Sequence, residues 1–321
     1  MKKILIGAIL LNIFCILIPF AITKQFHNDK TISQAVGENN LESIELVYID
    51  DNANEVKINF EDYIIGVVAA EMPALFHHEA LKAQSIVSRT YALQKINLEK
   101  INSEKNYIEN ISQAFLTIEE MKKLWGDDFV NYYNRISLAV SSTNGEVIFY
   151  GGEPIEAVFH ATSGGYTENS ENIWNVSLPY LKSVDSSFDE EVADFIHRHE
   201  FTDNELKQIL KSNNSEINFS KYSFINEFEI SESSENGYVQ KLKIANITYT
   251  GAEIRNILNL KSTNFTLEDG NGKIIFVTKG YGHGVGMSQT GANYLSQTGY
   301  DYKKIISYYY HDIEIGRYGK I

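Results

Sequence analysis

The first two dozen positions are apolar without period. Lys2 and Lys3 precede the run Ile4–Ile22, which is broken only by Gly7, Asn12 and Pro19. A run of that length crosses a bilayer as a helix. No small-x-small cleavage site follows it, since Phe20-Ala21-Ile22-Thr23 fits poorly. The pattern predicts an uncleaved signal-anchor over 1–23. Two lysines before the run against Lys24 after it put the N-terminus in the cytoplasm and the rest outside. Residues 24–43 carry Gln, Asn, Asp, Ser, Gly and Glu and read as a solvated stalk.

From position 44 the pattern becomes that of a folded ectodomain, 44–321. Ile44–Ile49 and Val56–Phe60 alternate like strands on either side of the turn residues Asp50–Asn54. Glu61 and Asp62 then open an apolar helix, Tyr63–Glu71, which Pro73 ends. A second helix is predicted from about Glu79 to Ile96. Residues 97–125 are polar and variable in character, and a helix is expected from about Asp128 to Ser141. Glu146–Tyr150 and Ile155–His160 read as a hairpin around Gly151-Gly152. After Val184 comes a Ser- and acid-rich patch, then a short helix, Thr202–Lys211. Phe224–Ile230 and Val239–Ile244 alternate like paired strands. Thr250-Gly-Ala-Glu253 is a capping box for a helix over 252–258. Asp269-Gly270-Asn271-Gly272 is a hairpin turn between Thr266–Glu268 and Ile274–Val277. No repeat is visible. The fold class is α+β, with several hairpins and a few helices around a groove.

Charge and cysteine use narrow the classes. A formal charge of −14 argues against nucleic acid and anionic membrane surfaces as partners. It leaves carbohydrate open, because sugars are held by hydrogen bonds and aromatic faces, and the chain has 20 tyrosines. Cys15, the single cysteine, lies inside the anchor. The ectodomain therefore has no disulfide and no cysteine-ligated zinc.

Three segments hold the candidate chemistry. In Gly280–Ala292 five glycines interleave with His283, Ser288 and Gln289, and the run feeds a helical pattern closed by Gly299. That is a rigid polar loop at a helix N-terminus. Glu71 ends an apolar helix among Ala69, Ala70 and Met72. There it is either a desolvated carboxyl kept available as an acid or a last-turn glutamate facing water. Phe159–Ser170 follows a strand and is crowded with hydroxyls. It either binds a sugar through Thr162, Ser163 and Tyr166 or is a hydrogen-bonded turn without chemistry. His160 and His283 lack the spacing of a metal pair and read as structural, so no metal or cofactor is expected.

Taken in order, these motifs resemble the stage II sporulation protein D family. The resemblance rests on Glu71-Met72-Pro73, Glu79–Gln84, Arg89-Thr90-Tyr91-Ala92, Ser163-Gly164-Gly165, Thr167–Ser170 and Gly282–Gln289, and runs from about Val56 to Ile315. It implies a membrane-anchored peptidoglycan lytic transglycosylase, used when a mother cell engulfs its forespore. Its catalytic glutamate would be Glu71, with Thr162, Ser163, Tyr166, His283, Ser288 and Gln289 holding the glycan. The implied partners are the stage II sporulation proteins P and M, and the implied place is the cell membrane facing septal peptidoglycan. Cell-wall amidase enhancers share the domain. Two other readings stay open: a non-catalytic enhancer of an amidase, and a muramidase using water with Glu168, Asp185 or Asp189 as second carboxylate.

Overall fold

A computed structural model describes residues 41, 44–50, 52–96, 105–174, 176–220 and 223–319. The expected anchor, 1–23, and nearly all of the stalk lie outside the described residues. Among the described residues no helix is long and apolar enough to cross a membrane.

Leu41–Ile321 form one compact unit. The strands β1 (Glu45–Ile49) and β2 (Glu55–Asn59) pair antiparallel. Asn59 then caps α1 (Phe60–Glu71), its side chain accepting from Asp62 N at 2.9 Å. Glu61 and Asp62 in the first turn suit the positive end of the helix dipole. The helix α2 (His78–Lys95) runs through the core, packed on α1 and on later elements, with Arg89 fully enclosed.

The stretch 97–125, expected to be polar and variable, holds a helix, α3 (Ile118–Trp125). Thr117 and Glu120 close a full capping box at its start. Only Met121 of this helix is buried, but Ile118, Met121 and Trp125 recur at helical spacing, so the apolar stripe is present in the sequence, short and set in a polar stretch. The next elements are α4 (Phe129–Ser142), β3 (Glu146–Tyr150) and β4 (Glu153–Pro154). The hairpin at Gly151-Gly152 is present, but its second arm is shorter than Ile155–His160 predicts. Past Pro154 the ladder adds only the bond from Ile155 N to Ile148 O at 3.1 Å. The chain leaves, and β5 (Phe159–His160) pairs instead, in parallel, with β12 (Met287–Ser288) more than a hundred positions later.

After the short α5 (Ser170–Trp174), the Ser- and acid-rich patch leads into β6 (Ile196–Thr202), a strand whose exposed positions alternate with His197, His199 and Phe201. Then come α6 (Asp203–Asn213), β7 (Phe228–Ser233), β8 (Val239–Ile244), β9 (Ile247–Thr250) and α7 (Gly251–Leu258). Residues Phe224–Glu227, expected as strand, form a 3-10 turn before β7. The hairpin β10 (Phe265–Asp269) and β11 (Lys273–Lys279) forms as expected, and β6 pairs along β11. The glycine-rich loop then enters α8 (Gln289–Gln297), followed by α9 (Tyr302–Tyr309) and β13 (Glu314–Arg317), which pairs with β3.

Two hydrophobic clusters result. The larger gathers α1, α2, α4, β3, α8 and α9. The smaller gathers α6, α7 and the strands β7 to β11. The chain enters the second cluster near Phe195 and leaves at Gly280, and Gly280 N donates to Phe195 O at 2.8 Å. The second cluster is thus an insert whose ends meet beside the glycine-rich loop.

Candidate functional site

Glu71 sits at the last position of α1, and Pro73 turns the chain away. Its Oε1 accepts from Ala114 N at 3.0 Å. Burial pushes the carboxyl above the usual glutamate value, with the Ala114 bond opposing. The carboxyl is therefore neither fully solvated nor unpaired. Tyr63 lies near enough for its phenol to be raised, first by burial and then by the Glu71 charge, and its OH donates to Gln113 Oε1 at 3.2 Å. The segment carrying Gln113 and Ala114 is clamped to α1 by Leu116 N donating to Gly66 O at 3.1 Å. A Cβ on Gly66 would lie 2.2 Å from the Phe115 ring, so only glycine lets this segment close over the helix.

The other two motifs are brought together. Besides the β5–β12 pair, Thr162 and Tyr281 exchange both backbone bonds, at 3.0 and 2.7 Å, and Glu168 N donates to Gly284 O at 2.7 Å. The Thr162 and Thr290 hydroxyls lie 2.9 Å apart. Gly286 has φ +73°, and a Cβ there would stand 2.1 Å from Val158 O. Close approach of the two loops requires glycine at that position.

The predicted binding side chains divide by exposure. Tyr166 is 47% exposed, and Thr162 and His283 are half-buried. Ser163, Ser288 and Gln289 are enclosed. Ser163 N donates to Asp189 Oδ2 at 2.9 Å, and its hydroxyl accepts from Gly165 N at 3.2 Å. Ser288 caps α8, accepting from Gly291 N at 3.1 Å. These two hydroxyls hold the loops in shape. His283 Nδ1 accepts from Val285 N at 3.1 Å, and the ring also bonds the Phe159 backbone. Its pKa falls to about 4, through burial first and then the Arg255 charge. His160 falls to about 3 through burial, and its Nδ1 lies 3.1 Å from Val285 O. Both rings are neutral near pH 7. They stand 5.7 Å apart, and the Trp174 ring lies 5.3 Å from His283.

A chain of polar contacts runs from the glycine-rich loop toward Glu71. Gln289 Nε2 donates to Gln84 Oε1 at 3.3 Å, and Gln84 Nε2 to Ser88 Oγ at 2.9 Å, one turn along α2. Gln113 Nε2 donates to Ser88 O at 3.4 Å, and the neighbouring Ala114 holds Glu71. Glu71 itself makes no direct hydrogen bond to either loop among the described residues. Two cavities, of about 330 Å³ by Asn218 and Glu227 and about 580 Å³ by Tyr48 and Phe115, are lined by neither Glu71 nor the loops.

The family model described as Stage II sporulation protein matches residues 51–150, and one described as a domain of unknown function matches 168–286. The chain is 36% identical over 273 residues to stage II sporulation protein D of Bacillus subtilis (strain 168), covering 84% of this chain and 78% of that one. The chain belongs to the stage II sporulation protein D family. The namesake from Bacillus amyloliquefaciens is 35% identical over the same share of this chain and 77% of its own. The amidase enhancer of Bacillus subtilis is 26% identical over 292 residues, 76% of this chain and 39% of that protein.

Within this stage II sporulation protein D framework, each matched region supplies part of the site. Glu71, Gln84, Ser88 and Ala114 lie in the first, and Trp174, Tyr281 and His283 in the second. Gln84, Gln113 and Trp174 are not among the residues singled out by chemistry in the sequence. Gln84 stands in the Glu79–Gln84 motif and on the helix stripe with Ala80, Leu81 and Val87, which places it in the helix and assigns it no chemistry. Trp174, one of two tryptophans and 40% exposed, follows the hydroxyl-rich turn, and that position is the signal that could have found it.

Proposed function

We propose that the chain is a membrane-anchored peptidoglycan lytic transglycosylase of sporulation, cleaving between N-acetylmuramic acid and N-acetylglucosamine. The observation that carries the reading is Glu71: a half-buried carboxyl of raised pKa, held at one oxygen by a backbone N–H. The similarity to stage II sporulation protein D over most of the chain supports the sporulation setting.

In this reading the protonated Glu71 gives its proton to the glycosidic oxygen, and the bond from that oxygen to the muramic anomeric carbon breaks. The 6-hydroxyl of the same muramic acid attacks that carbon. Glu71, now a carboxylate, takes the hydroxyl proton and is restored. An intramolecular nucleophile has a high effective concentration, so no second carboxylate is needed. Thr162, Tyr166 and the Trp174 face would contact the strand. Ser163, Ser288, Gln289 and His283 would keep those groups in place. The polar contacts through the buried Gln84 and Ser88 and the half-buried Gln113 would tie the glycine-rich loop to the segment that holds Glu71.

The hydrolytic alternative needs a carboxylate free to activate water. Glu168 is enclosed and accepts from Asn169 N, Asn172 Nδ2 and Ser234 Oγ, and Asp189 is fully buried. These observations weigh against Glu168 and Asp189; Asp185 is exposed, with Oδ1 accepting from Ser187 N at 2.8 Å, so it is the carboxylate through which the hydrolytic reading stays open to product analysis. The amidase-enhancer likeness keeps one further reading, a glycan-binding activator that cuts nothing. Product analysis of glycan strands treated with the purified full chain separates the three. The expected product is a 1,6-anhydro end, lighter than a reducing end by one water. Reducing ends would mean a muramidase, and intact strands an enhancer.

A further inference from the structure

Arg255, on α7, projects toward the glycine-rich loop. Its Nε donates to Lys261 O at 3.3 Å, and the same carbonyl accepts from Gly282 N at 2.9 Å. One carbonyl thus pins the guanidinium to the loop. The Arg255 charge reaches His283 and Tyr281. Lys261 places its Nζ 4.4 Å from the centre of the Tyr281 ring, and Tyr281 is 45% exposed. Thr162 pairs with Tyr281 through the backbone.

Neither cation has a carboxylate partner among the described residues. The chain has 42 acidic and 28 basic side chains, and Arg89, Arg198, Lys82, Lys182 and Lys241 all find carboxylates. Arg255 is half-buried, and burial pulls its pKa down. A half-buried guanidinium bonded to one carbonyl and without a counter-charge has N–H donors left for an anion. Its fork is also the side chain best matched to a carboxylate, which it binds through two parallel N–H bonds. Lys261 adds a second positive charge at the same aromatic edge.

We infer that Arg255 and Lys261, beside Tyr281, form an anion subsite for a carboxylate carried by the glycan substrate. The inference rests on the reading that the two loops bind peptidoglycan. The polymer offers two sources: the lactyl carboxylate of a muramic acid freed of peptide, and the carboxylates of a peptide stem. A strand spans many sugars, so the subsite need not touch the sugar that Glu71 protonates.

The test uses the full-length chain in detergent and measures both binding and cleavage. Glycan strands, peptide-free and peptide-bearing, are compared with the same strands after conversion of their carboxylates to primary amides. Wild type is expected to bind at least one kind of native strand about 10- to 100-fold tighter than its amide form. Preference confined to peptide-free strands assigns the lactyl group, and preference confined to peptide-bearing strands assigns the stem. In Arg255→Gln and in Lys261→Gln the ratio is expected to fall toward one. Lys261→Gln leaves the backbone bond to Arg255 intact, so it decides the matter should Arg255→Gln fail to fold. A wild-type ratio near one on both kinds of strand, or an unchanged ratio in folded variants, overturns the subsite. Discrimination in binding without any cleavage would retain the subsite and sink the transglycosylase reading. Cleavage without discrimination does the reverse.

Discussion

At the scale of single residues, Glu71 carries an energetic conflict that can be measured. Burial raises its folded pKa above 4.5. The folded chain therefore binds this proton more tightly than the unfolded one. Its contribution to stability is full below the unfolded pKa and is lost as pH rises through the folded value. Glu71→Gln keeps the shape and removes the ionisation. The variant is expected to unfold at a higher temperature than wild type at pH 7, with the gap closing toward pH 4. An equal or lower midpoint at pH 7 would contradict the burial account. The same substitution should cost about 10²–10⁴-fold in cleavage, and wild-type cleavage should decline as pH rises through the folded pKa. The place of Glu71, at the end of an apolar helix before Pro73, is legible in the sequence. Its partner is not. Ala114 lies 43 positions away in a stretch of variable character, and it contributes a backbone N–H, which every residue but proline carries.

At the scale of elements, local grammar was readable where a cap or turn announced itself. Thr250 and Glu253 marked α7, and Asp269–Gly272 marked the β10–β11 turn. Thr117 and Glu120 use the same grammar for α3, and Ile118, Met121 and Trp125 follow at helical spacing, so this helix too was legible, hidden only by the shortness of its stripe within a polar stretch. The β5–β12 pair was beyond reach, since two-residue strands have no pattern and their register is imposed by the loops around them. Gly286 tests that claim. Its φ of +73° disfavours any side chain, and Val158 O is backbone that cannot swing aside. Gly286→Ala is expected to destabilise the fold by at least about 1–3 kcal/mol in denaturant titration. Cleavage should fall with it, because Thr162 and Tyr281 lose their fixed separation. A variant as stable as wild type would mean the loops tolerate several spacings.

At the scale of the whole molecule, the α+β class followed from counting elements, whereas the division into two clusters did not. The second cluster is an insert with adjoining ends, and such long-range closure leaves no mark on local periodicity. Arg89 shows the same limit. In sequence it belongs to a motif beside candidate chemistry, yet its side chain is 0% exposed and works as a tie. Nε and Nη2 bind both oxygens of Glu61 on α1, at 2.8 and 2.7 Å. Nη1 reaches Glu146 O on β3 at 3.1 Å, and Nη2 reaches Val140 O on α4 at 3.3 Å. One guanidinium thus joins α1, α2, α4 and β3, and α1 is the helix that ends in Glu71. Arg89→Met should cost about 3–5 kcal/mol, chiefly by stranding the Glu61 carboxylate with little access to water. Arg89→Met combined with Glu61→Leu removes the stranded charge as well. The double variant is expected to be more stable than Arg89→Met alone, with a remaining deficit from the two carbonyls that lose their donors. Equilibrium unfolding of the wild type, both single variants and the double variant gives the coupling directly. A double variant no more stable than Arg89→Met would place the role of Arg89 in the two carbonyl bonds and not in the ion pair.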